Sequence, residues 1–447
     1  MSEVIIKQIK DAGVVGAGGA GFPTHVKVNA KAEHVIVNGA ECEPLLRVDQ
    51  QLMAMMADEL VEGLEAVMES TGATKGTIAL KGKYHEAIDA LEKAISGKPI
   101  ELFILGDFYP AGDEHVTVYE VTGKIIPEGG IPLKVGCVVN NVETLINVAR
   151  ALDGFPVTDT YLTVTGDVPK PITFKLPIGV TIQEALALAG QHDMQGKLVV
   201  EGGPMMGNVV EDFTQPITKT TKGLIVLSED HPMMQKRNIP LSHIIKQAKA
   251  ACIQCVRCTD MCPRHMLGHS LSPHKVMRSL NYLDGDQEVM KMAFSCTECG
   301  ACEYACNMML LSPRRVNALL KQELSKKGIK ASPPAKREVA VPTREFMKIP
   351  VKRLIPALGL TPYNVAAPLM MDVDYTPKKV TIPLKQHIGA PAQPVVEVGQ
   401  RVERGTLIGD IPEGAMGARV HASISGTVRE IGMNIVIEAD GDGGGKQ

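Results

Sequence analysis

The chain has no tryptophan among its 447 residues, and aromatic residues make up only 4% of it. No apolar run reaches the roughly 18 residues that a membrane-spanning helix needs. The start, MSEVIIKQIKDAG, has an apolar stretch that is too short and too charged for a signal peptide. The formal net charge of -3 gives no reason to expect nucleic-acid binding. These absences predict a cytoplasmic protein with no transmembrane segment and no nucleic-acid partner.

Cysteine, in contrast, is concentrated in one short region. Eight of the ten cysteines lie between Cys252 and Cys306, and in a reducing compartment such a group indicates metal binding rather than disulfides. The two others, Cys42 and Cys137, are spare, and a lone cysteine is usually a small buried apolar residue.

The eight cysteines form two runs with one spacing, C-x2-C-x2-C-x3-C, which is the run that bacterial ferredoxins use for [4Fe–4S] clusters. The first run is Cys252, Cys255, Cys258 and Cys262, and the second is Cys296, Cys299, Cys302 and Cys306. In two-cluster ferredoxins the fourth cysteine of each run ligates the other cluster. We therefore expect Cys306 to complete the cluster of the first three cysteines, and Cys262 to complete the cluster of Cys296, Cys299 and Cys302. Structural zinc is the alternative, although zinc sites usually use separated pairs of ligands.

The pattern of apolar residues predicts an α/β multidomain protein, because 447 residues are too many for one core. Residues 1–155 alternate strands and helices, as in a largely parallel sheet, with one long helix over 51–71. Residues 156–235 carry short strands around one helix, which indicates a small β-grasp-like domain. Residues 242–325 are helical and contain the cysteines, residues 326–377 are a linker, and residues 378–440 alternate short strands with glycine turns.

A glycine-rich stretch, GVVGAGGAGFPTHVK at 13–27, raises the question of a phosphate site. Gly16, Gly18 and Gly21 match the G-x-G-x-x-G pattern, and Glu41 lies at a suitable distance for a ribose contact. A Rossmann loop, however, leaves a strand and enters a helix. Here the preceding residues form a helical pattern, and Pro23 disfavours helical geometry at Phe22. The Rossmann interpretation is the weaker one, and a backbone nest of N–H groups could bind a phosphate instead.

Four motifs, GAGGAGFPTHVK, VNGAECEP, YPAGDE and NNVETL, together resemble the FMN and NADH site of the flavoprotein subunit of respiratory complex I. They are more similar to RnfC. The resemblance is strongest to the PduS-type cobalamin reductases of propanediol-utilisation microcompartments, where it also includes GGPMMG at 202–207 and GAMGARVHASISGTV at 414–428. It implies a complex I flavoprotein-like FMN domain, an SLBB-like β-grasp domain, a two-cluster ferredoxin domain and a C-terminal barrel-sandwich hybrid.

By position, the resemblance also implies a set of cofactor-binding residues. Backbone amides of the glycine loop would approach the FMN phosphate, with Lys27 adding charge, and Phe22 and Glu43 would face NADH. Glu41 and Glu43 are the candidate catalytic residues. The implied cofactor-binding set is Gly16, Gly18, Gly19, Gly21, Phe22, Lys27, Asn38, Glu41, Glu43, Gly112, Asp113, Glu114, Asn140, Asn141 and Thr144. Asn141 could instead cap a helix that begins near Val142, and Glu41 and Glu43 could be solvated turn residues.

The expected activity is that of an oxidoreductase with FMN and two [4Fe–4S] clusters, which takes electrons from NADH as substrate. By the resemblance the acceptor is a corrinoid, cob(III)alamin or cob(II)alamin, or an adenosyltransferase that carries it, and a microcompartment shell protein is a further partner. The alternative is an RnfC-like electron-transfer subunit that docks on a membrane complex or a compartment shell without cobalamin turnover of its own. The sequence leaves open whether the protein lies inside a bacterial microcompartment, what its reduction potentials are and how it oligomerises.

Overall fold

The N-terminal domain is built around a parallel sheet with the order β3-β2-β1-β5. The computed structural model describes residues 2–281, 287–306, 311–332, 339–373 and 375–440. The strands are continuous apolar runs because helices cover both faces of the sheet. The elements of this domain are α1 (Ser2–Asp11), α2 (Thr24–Val28), β1 (His34–Gly39), α3 (Val48–Met55), α4 (Ala57–Thr71), β2 (Lys75–Lys81), α5 (His85–Ala94), β3 (Ile100–Leu105), β4 (Phe108–Tyr109), α6 (Glu114–Thr122), β5 (Cys137–Asn141) and α7 (Val142–Leu152).

The single helix expected over 51–71 is instead two helices, α3 and α4. The break is at Met56, whose φ of -132° and ψ of 38° are not helical. Both helices contact α5 and α7, but α3 packs mainly on α5 and α4 mainly on α7. The α4–α7 contact is so close that a Cβ on Gly63 would lie 2.0 Å from the carbonyl oxygen of Leu145. The expectation was wrong because the apolar periodicity continues across the break.

The second domain has the β-grasp arrangement of a mixed sheet around one helix. Its sheet has the order β12-β7-β6-β10-β8-β9, in which β12 (Leu369–Met370) comes from a later part of the chain. Helix α8 begins with a capping box in which Thr181 and Glu184 satisfy each other's backbone N–H groups. The elements are β6 (Asp159–Gly166), β7 (Ile172–Pro177), α8 (Ile182–Leu188), β8 (Lys197–Glu201), β9 (Asn208–Val210), β10 (Gly223–Ser228) and α9 (Pro232–Asn238).

The cysteine-rich region is helical; six of its eight cysteines lie in the connections between helices, and Cys258 and Cys302 lie in the short helices α11 and α15. Prolines at the first turns of several helices fix where those helices begin. The elements are α10 (Leu241–Ala251), α11 (Arg257–Asp260), α12 (Pro263–Met266), α13 (Pro273–Ser279), α14 (Gln287–Lys291), α15 (Ala301–Ala305) and α16 (Pro313–Lys326).

The segment 326–377, expected to be a linker, forms regular structure that joins other domains. Strand β11 pairs with β4 of the first domain, and β12 pairs with β7 of the second. Buried Arg344 forms an ion pair with Glu120 of α6. Sequence reasoning missed these elements because most are shorter than two helical turns. They are α17 (Arg344–Met347), β11 (Ile349–Pro350), α18 (Val351–Ala357) and β12 (Leu369–Met370); residues 333–338 and 374 lie outside the described residues.

The C-terminal module consists of two facing sheets, ordered β13-β19-β18-β15 and β14-β16-β17. It packs on the start of the first domain, where Arg419 pairs with Asp11 at 2.7 Å. The ammonium of Lys219, from the second domain, donates to the carbonyls of Gly13 at 2.7 Å and Arg419 at 2.8 Å. Its elements are β13 (Lys379–Pro383), β14 (Gln393–Pro394), β15 (Arg401–Val402), β16 (Leu407–Asp410), β17 (Val420–His421), β18 (Gly426–Ile431) and β19 (Asn434–Ala439).

Candidate active site

The glycine loop leaves helix α1 and approaches the end of strand β5. The N–H of Gly16 donates to the carbonyl of Phe22 at 2.9 Å, and the N–H of Ala17 donates to Oγ1 of Thr144 at 2.9 Å. A Cβ on Gly18 would lie 2.8 Å from Nδ2 of Asn141, whereas one on Gly19 would meet nothing within 4 Å. Gly18 and Gly19 are both exposed. The loop therefore offers open glycine backbone beside the strand ends, where an anion can approach closely.

Gly21 lies apart from this opening. Its φ of 72° is left-handed, and an added Cβ would lie 2.9 Å from the carbonyl oxygen of Gln386 and from Cα of His387. This glycine is thus needed for packing against the C-terminal module. The neighbouring Phe22 is partly exposed.

Three asparagines stand at the carboxyl ends of β1 and β5, where parallel strands place ligand sites. Asn38 pairs in register with Asn141, and its Nδ2 donates to the carbonyl of Gly112 at 2.8 Å. Oδ1 of Asn141 accepts from the N–H of Glu143 at 3.0 Å, so Asn141 does cap α7. Asn140 is 4% exposed, and its Nδ2 has no hydrogen-bond partner in the described part of the chain.

Glu41 organises the start of α3 and is not a solvated turn residue. It has a φ of 34°, and its carboxylate accepts from the N–H groups of Asp49 at 2.9 Å and Gln50 at 3.3 Å. Asp49 in turn accepts through Oδ2 from Nδ2 of Asn141 at 2.8 Å, while its Oδ1 has no partner among the described residues. Burial, and then the charge of Glu41, raise the pKa of Asp49 to about 7. Burial also raises the pKa of Glu41.

The motif at 109–114 faces the other side of the same opening. Lys27 donates to the carbonyl of Val139 at 2.9 Å and lies 3.8 Å from the carboxylate of Glu114. Asp113 caps α6 and also forms a 2.7 Å ion pair with Arg264, which follows the first cysteine run. Asp113 therefore connects the N-terminal domain with the cysteine-rich region.

Glu43 lies where three domains meet. Its carboxylate accepts from the N–H groups of Met205 at 2.8 Å and Met206 at 3.0 Å, in the loop of the second domain. The hydroxyl of Tyr109 lies 3.4 Å from the same carboxylate and donates to the carbonyl of Cys299 at 2.6 Å. Burial raises the pKa of Glu43 to about 7, although both amides oppose the shift. This contact chain joins a candidate catalytic carboxyl to the second cysteine run.

The eight thiols separate into two groups, each surrounding its own cavity. The first thiol group is Cys252, Cys255, Cys258 and Cys306, around a cavity of about 150 Å³. The second thiol group is Cys262, Cys296, Cys299 and Cys302, around one of about 20 Å³. Each group thus takes three cysteines from one run and the fourth from the other run. Among the described residues, no three His, Cys, Asp or Glu side chains converge closely enough to hold a single metal ion.

Corresponding turns carry the central cysteine of each run. Gln254 and Val256 flank Cys255 with φ values of 55° and 69°, and Glu298 and Gly300 flank Cys299 with 59° and 78°. A left-handed conformation strains residues other than glycine and is found at sites where function requires it. The repeated geometry indicates that both turns wrap the chain around a bound group.

The residues present fit the two kinds of cofactor that the motifs suggest. Each thiol group supplies the four sulfurs that a cubane requires. At the strand ends, Nδ2 of Asn140 and Oδ1 of Asp49 are a buried donor and a buried acceptor without partners among the described residues. Since buried polar groups are normally hydrogen-bonded, they suit the polar edge or the hydroxyls of a flavin, and the open glycine loop suits its phosphate.

Two residues of this region were missed from the sequence. Asp49 was hidden because the helix was expected to begin at 51, whereas α3 begins at Val48. Lys222 comes from the second domain and forms an ion pair with buried Glu143. Burial lowers the pKa of Lys222 to about 8, although the charges of Asp49 and Glu41 oppose this shift. In the sequence, Asp49 could have been found only as a second carboxylate eight residues after Glu41. No local sequence pattern indicated that Lys222 would lie at this site.

In the described part of the chain, no helix has the length and apolar character needed to cross a membrane. Four family models match in succession. They are the Nuo51 FMN-binding domain over 9–150, the SLBB domain over 161–209, the 4Fe-4S dicluster domain over 251–311 and the RnfC barrel sandwich hybrid domain over 368–442. These matches confirm the predicted fold class with its four kinds of domain. They also confirm FMN and [4Fe–4S] clusters as the cofactors.

Similar curated proteins extend over nearly the whole chain. Cobalamin reductase PduS of Citrobacter freundii and of Salmonella typhimurium are each 45% identical over 432 residues, which cover 96% of this chain and 95% of each relative. A component of the Na(+)-translocating ferredoxin:NAD(+) oxidoreductase complex of Acetobacterium woodii is 37% identical over 273 residues, 59% of each chain. With its four domains and its near-complete match to the first two relatives, the chain belongs to the PduS family of cobalamin reductases.

Proposed function

We propose that this protein oxidises NADH and passes the electrons, through FMN and two [4Fe–4S] clusters, to the cobalt of a cobalamin. The observation that carries the proposal is the contact chain from Glu43 through Tyr109 to the second thiol group. It supports a hydride-transfer site at Glu43 that would lie next to a cluster site within one chain. The name of the PduS relatives supports cobalamin as the acceptor.

In this proposal the N-terminal domain holds the flavin. The glycine loop would bind its phosphate, with Lys27 contributing positive charge, and Asn140 and Asp49 would satisfy its polar groups. When bound, FMN would accept a hydride and release electrons singly, which connects NADH to one-electron carriers. Glu43 would hold negative charge beside the nicotinamide ring, and Tyr109 would fix the second thiol group against that site.

The two cluster sites would act in series. The second thiol group would be the nearer to the flavin, because the carbonyl of Cys299 accepts from Tyr109 and Arg264 pairs with Asp113. The first thiol group lies farther along the chain of contacts, and its Cys255 is exposed. Electrons would therefore enter through the second thiol group and leave through the first.

A cytoplasmic place inside a bacterial microcompartment, with a shell protein as partner, is also part of this proposal. Its support is membership of the PduS family, and co-purification with shell proteins from cells that form compartments is the test. The absence of the protein from purified compartments would remove this part alone.

The similarity to the Acetobacterium woodii protein favours a second candidate, an electron-transfer subunit that docks on a membrane complex and has no cobalamin turnover. One experiment separates the two. Anaerobically reconstituted protein with FMN is mixed with NADH and cob(III)alamin, and both flavin bleaching and cob(II)alamin formation are recorded. We expect both signals. Cluster reduction without any change in cobalamin would contradict the cobalamin proposal and favour the second candidate.

A further inference from the structure

A large cleft lies between the second domain, the cysteine-rich region and helix α18. Its volume is about 1200 Å³, which exceeds the roughly 300–1,000 Å³ of pockets for drug-sized ligands. Cys255 and Cys306 line both this cleft and the cavity of the first thiol group. A molecule in the cleft would thus lie directly beside the cluster site from which electrons leave.

The cleft has an apolar wall and a rigid frame. Met233, Ile244 and Leu311 line it and are buried. Arg237 donates to the carbonyl of Pro204 at 2.6 Å, and Arg315 donates to that of Ile239 at 2.7 Å. Because these guanidinium groups are engaged with backbone carbonyls, they hold the walls together. Such a cleft suits a broad, flat ligand that needs apolar contact.

The rim carries cations that are available to a ligand. Lys236 and Arg257 line the cleft, are exposed, and form no ion pair among the described residues. The lining includes five Lys or Arg side chains and only two carboxylates, Asp260 and Glu303. Glu303 is already engaged, since it accepts from the hydroxyl of Ser312. The excess positive charge suits a ligand with a phosphate group.

We infer that this cleft binds the corrinoid acceptor, with the macrocycle against the apolar wall and its phosphodiester near Lys236 and Arg257. The inference rests on the proposed function and gives it a location. Each transfer would take one electron from a reduced cluster held by the cysteines and would lower the oxidation state of cobalt by one. One NADH supplies two such electrons, and it leaves as NAD⁺ with release of one proton.

The test is equilibrium dialysis of cyanocobalamin against the anaerobic holoprotein. The double variant Lys236→Glu with Arg257→Glu reverses the rim charge. The control is Lys31→Glu with Lys93→Glu, two exposed lysines of the N-terminal domain. We expect the rim variant to weaken cyanocobalamin binding by roughly tenfold, since a single exposed charge pair is weak but reversal at two positions replaces attraction by repulsion. The control should bind like the wild type.

A second variant is needed because Arg257 is adjacent to Cys258, so that Arg257→Glu could disturb the cluster itself. Asn208→Trp fills the cleft from the exposed first residue of strand β9, which belongs to the second domain and not to the cysteine-rich region, and it should also weaken binding. Iron content and cluster reduction by NADH show that each variant retains its relay. Wild-type binding in both variants would overturn the cleft assignment and leave the proposed function intact. If the wild type binds no cyanocobalamin and reduces no cobalamin, while NADH still reduces its clusters, the proposed acceptor and the cleft assignment both fail.

Discussion

Glu43 is the carboxyl whose removal gives the sharpest prediction. As a hydride leaves NADH, the nicotinamide ring becomes cationic, and a fixed carboxylate beside it stabilises that charge. A charge-assisted contact contributes about 1.5–3 kcal/mol. At about 1.36 kcal/mol per tenfold change in rate, the variant Glu43→Gln should slow flavin reduction by NADH by roughly 10- to 150-fold. The carboxylate oxygens of Glu43 accept hydrogen bonds from the N–H groups of Met205 and Met206. Glutamine would point its own N–H group at one of these two amides, and that hydrogen bond would be lost.

The pH dependence of the same step provides an independent check. Burial raises the pKa of Glu43 to about 7, so the carboxylate becomes protonated as the pH falls through 7. Flavin reduction should therefore slow below pH 7 in the wild type, and this slowing should be weaker in Glu43→Gln, where Asp49, whose pKa is also raised to about 7, still titrates. Stopped-flow absorbance of the flavin between pH 5.5 and 8.5 measures both quantities.

The matched control for this experiment is Glu62→Gln, since Glu62 is an exposed carboxylate on α4 of the same domain. The control should keep the wild-type rate and pH profile. A Glu43→Gln rate within twofold of the wild type, or a pH profile below pH 7 as steep as that of the wild type, would refute the assigned role of Glu43.

Three further predictions concern the clusters, the packing and the response to acid. Cys262→Ser should disturb the cluster of the second thiol group and stop NADH from reducing either cluster, whereas Cys306→Ser should leave that cluster reducible; EPR spectra that are the same for both variants would contradict the two groups. Gly63→Ala should lower the unfolding free energy by about 2 kcal/mol, because an overpacking cost near 3 kcal/mol exceeds the roughly 1 kcal/mol gain in helix propensity. The control is Gly432→Ala, where an added Cβ would meet nothing within 4 Å, and equal thermal midpoints for the two variants would contradict the prediction. Burial lowers the pKa of His421 to about 3, so as the pH falls below 6.5 the unfolded chain binds a proton that the folded chain does not, and the folded state loses stability. His421→Asn should reduce this dependence of the unfolding free energy on pH by up to about 1.4 kcal/mol per pH unit. Thermal unfolding between pH 7.5 and 5.5 with the same slope in the variant and the wild type would argue against this.

The sequence predicted best those features that depend on local spacing. The exchange of fourth cysteines follows from the two runs alone, and the structure gathers the thiols into groups with that composition, although their ligation of the clusters is still a prediction. The parallel sheet could be predicted from the sequence because strands that are covered on both faces are continuous apolar runs. The resemblance implied Asn38 and Asn141 as site residues, and the structure places them side by side at the carboxyl ends of β1 and β5.

Features that depend on distant segments could not be predicted. The partners of Glu43 lie about 160 residues away, in a loop that the sequence marks only as glycine-rich. Gly21 was assigned to the phosphate site, but its neighbours Gln386 and His387 belong to the last module. The short strand β11 pairs with β4 only because the chain returns to the first domain, and two residues have no periodicity to read.

The central claim is that one chain carries electrons from NADH through a flavin into two clusters in series. The most direct measurement is an anaerobic optical and EPR experiment on the reconstituted holoprotein, before and after the addition of NADH. We expect about eight irons per chain, bleaching of the flavin, and EPR signals from two reduced [4Fe–4S] clusters that lie close together. Flavin bleaching while both clusters remain oxidised, or clusters that respond only to a chemical reductant, would contradict it.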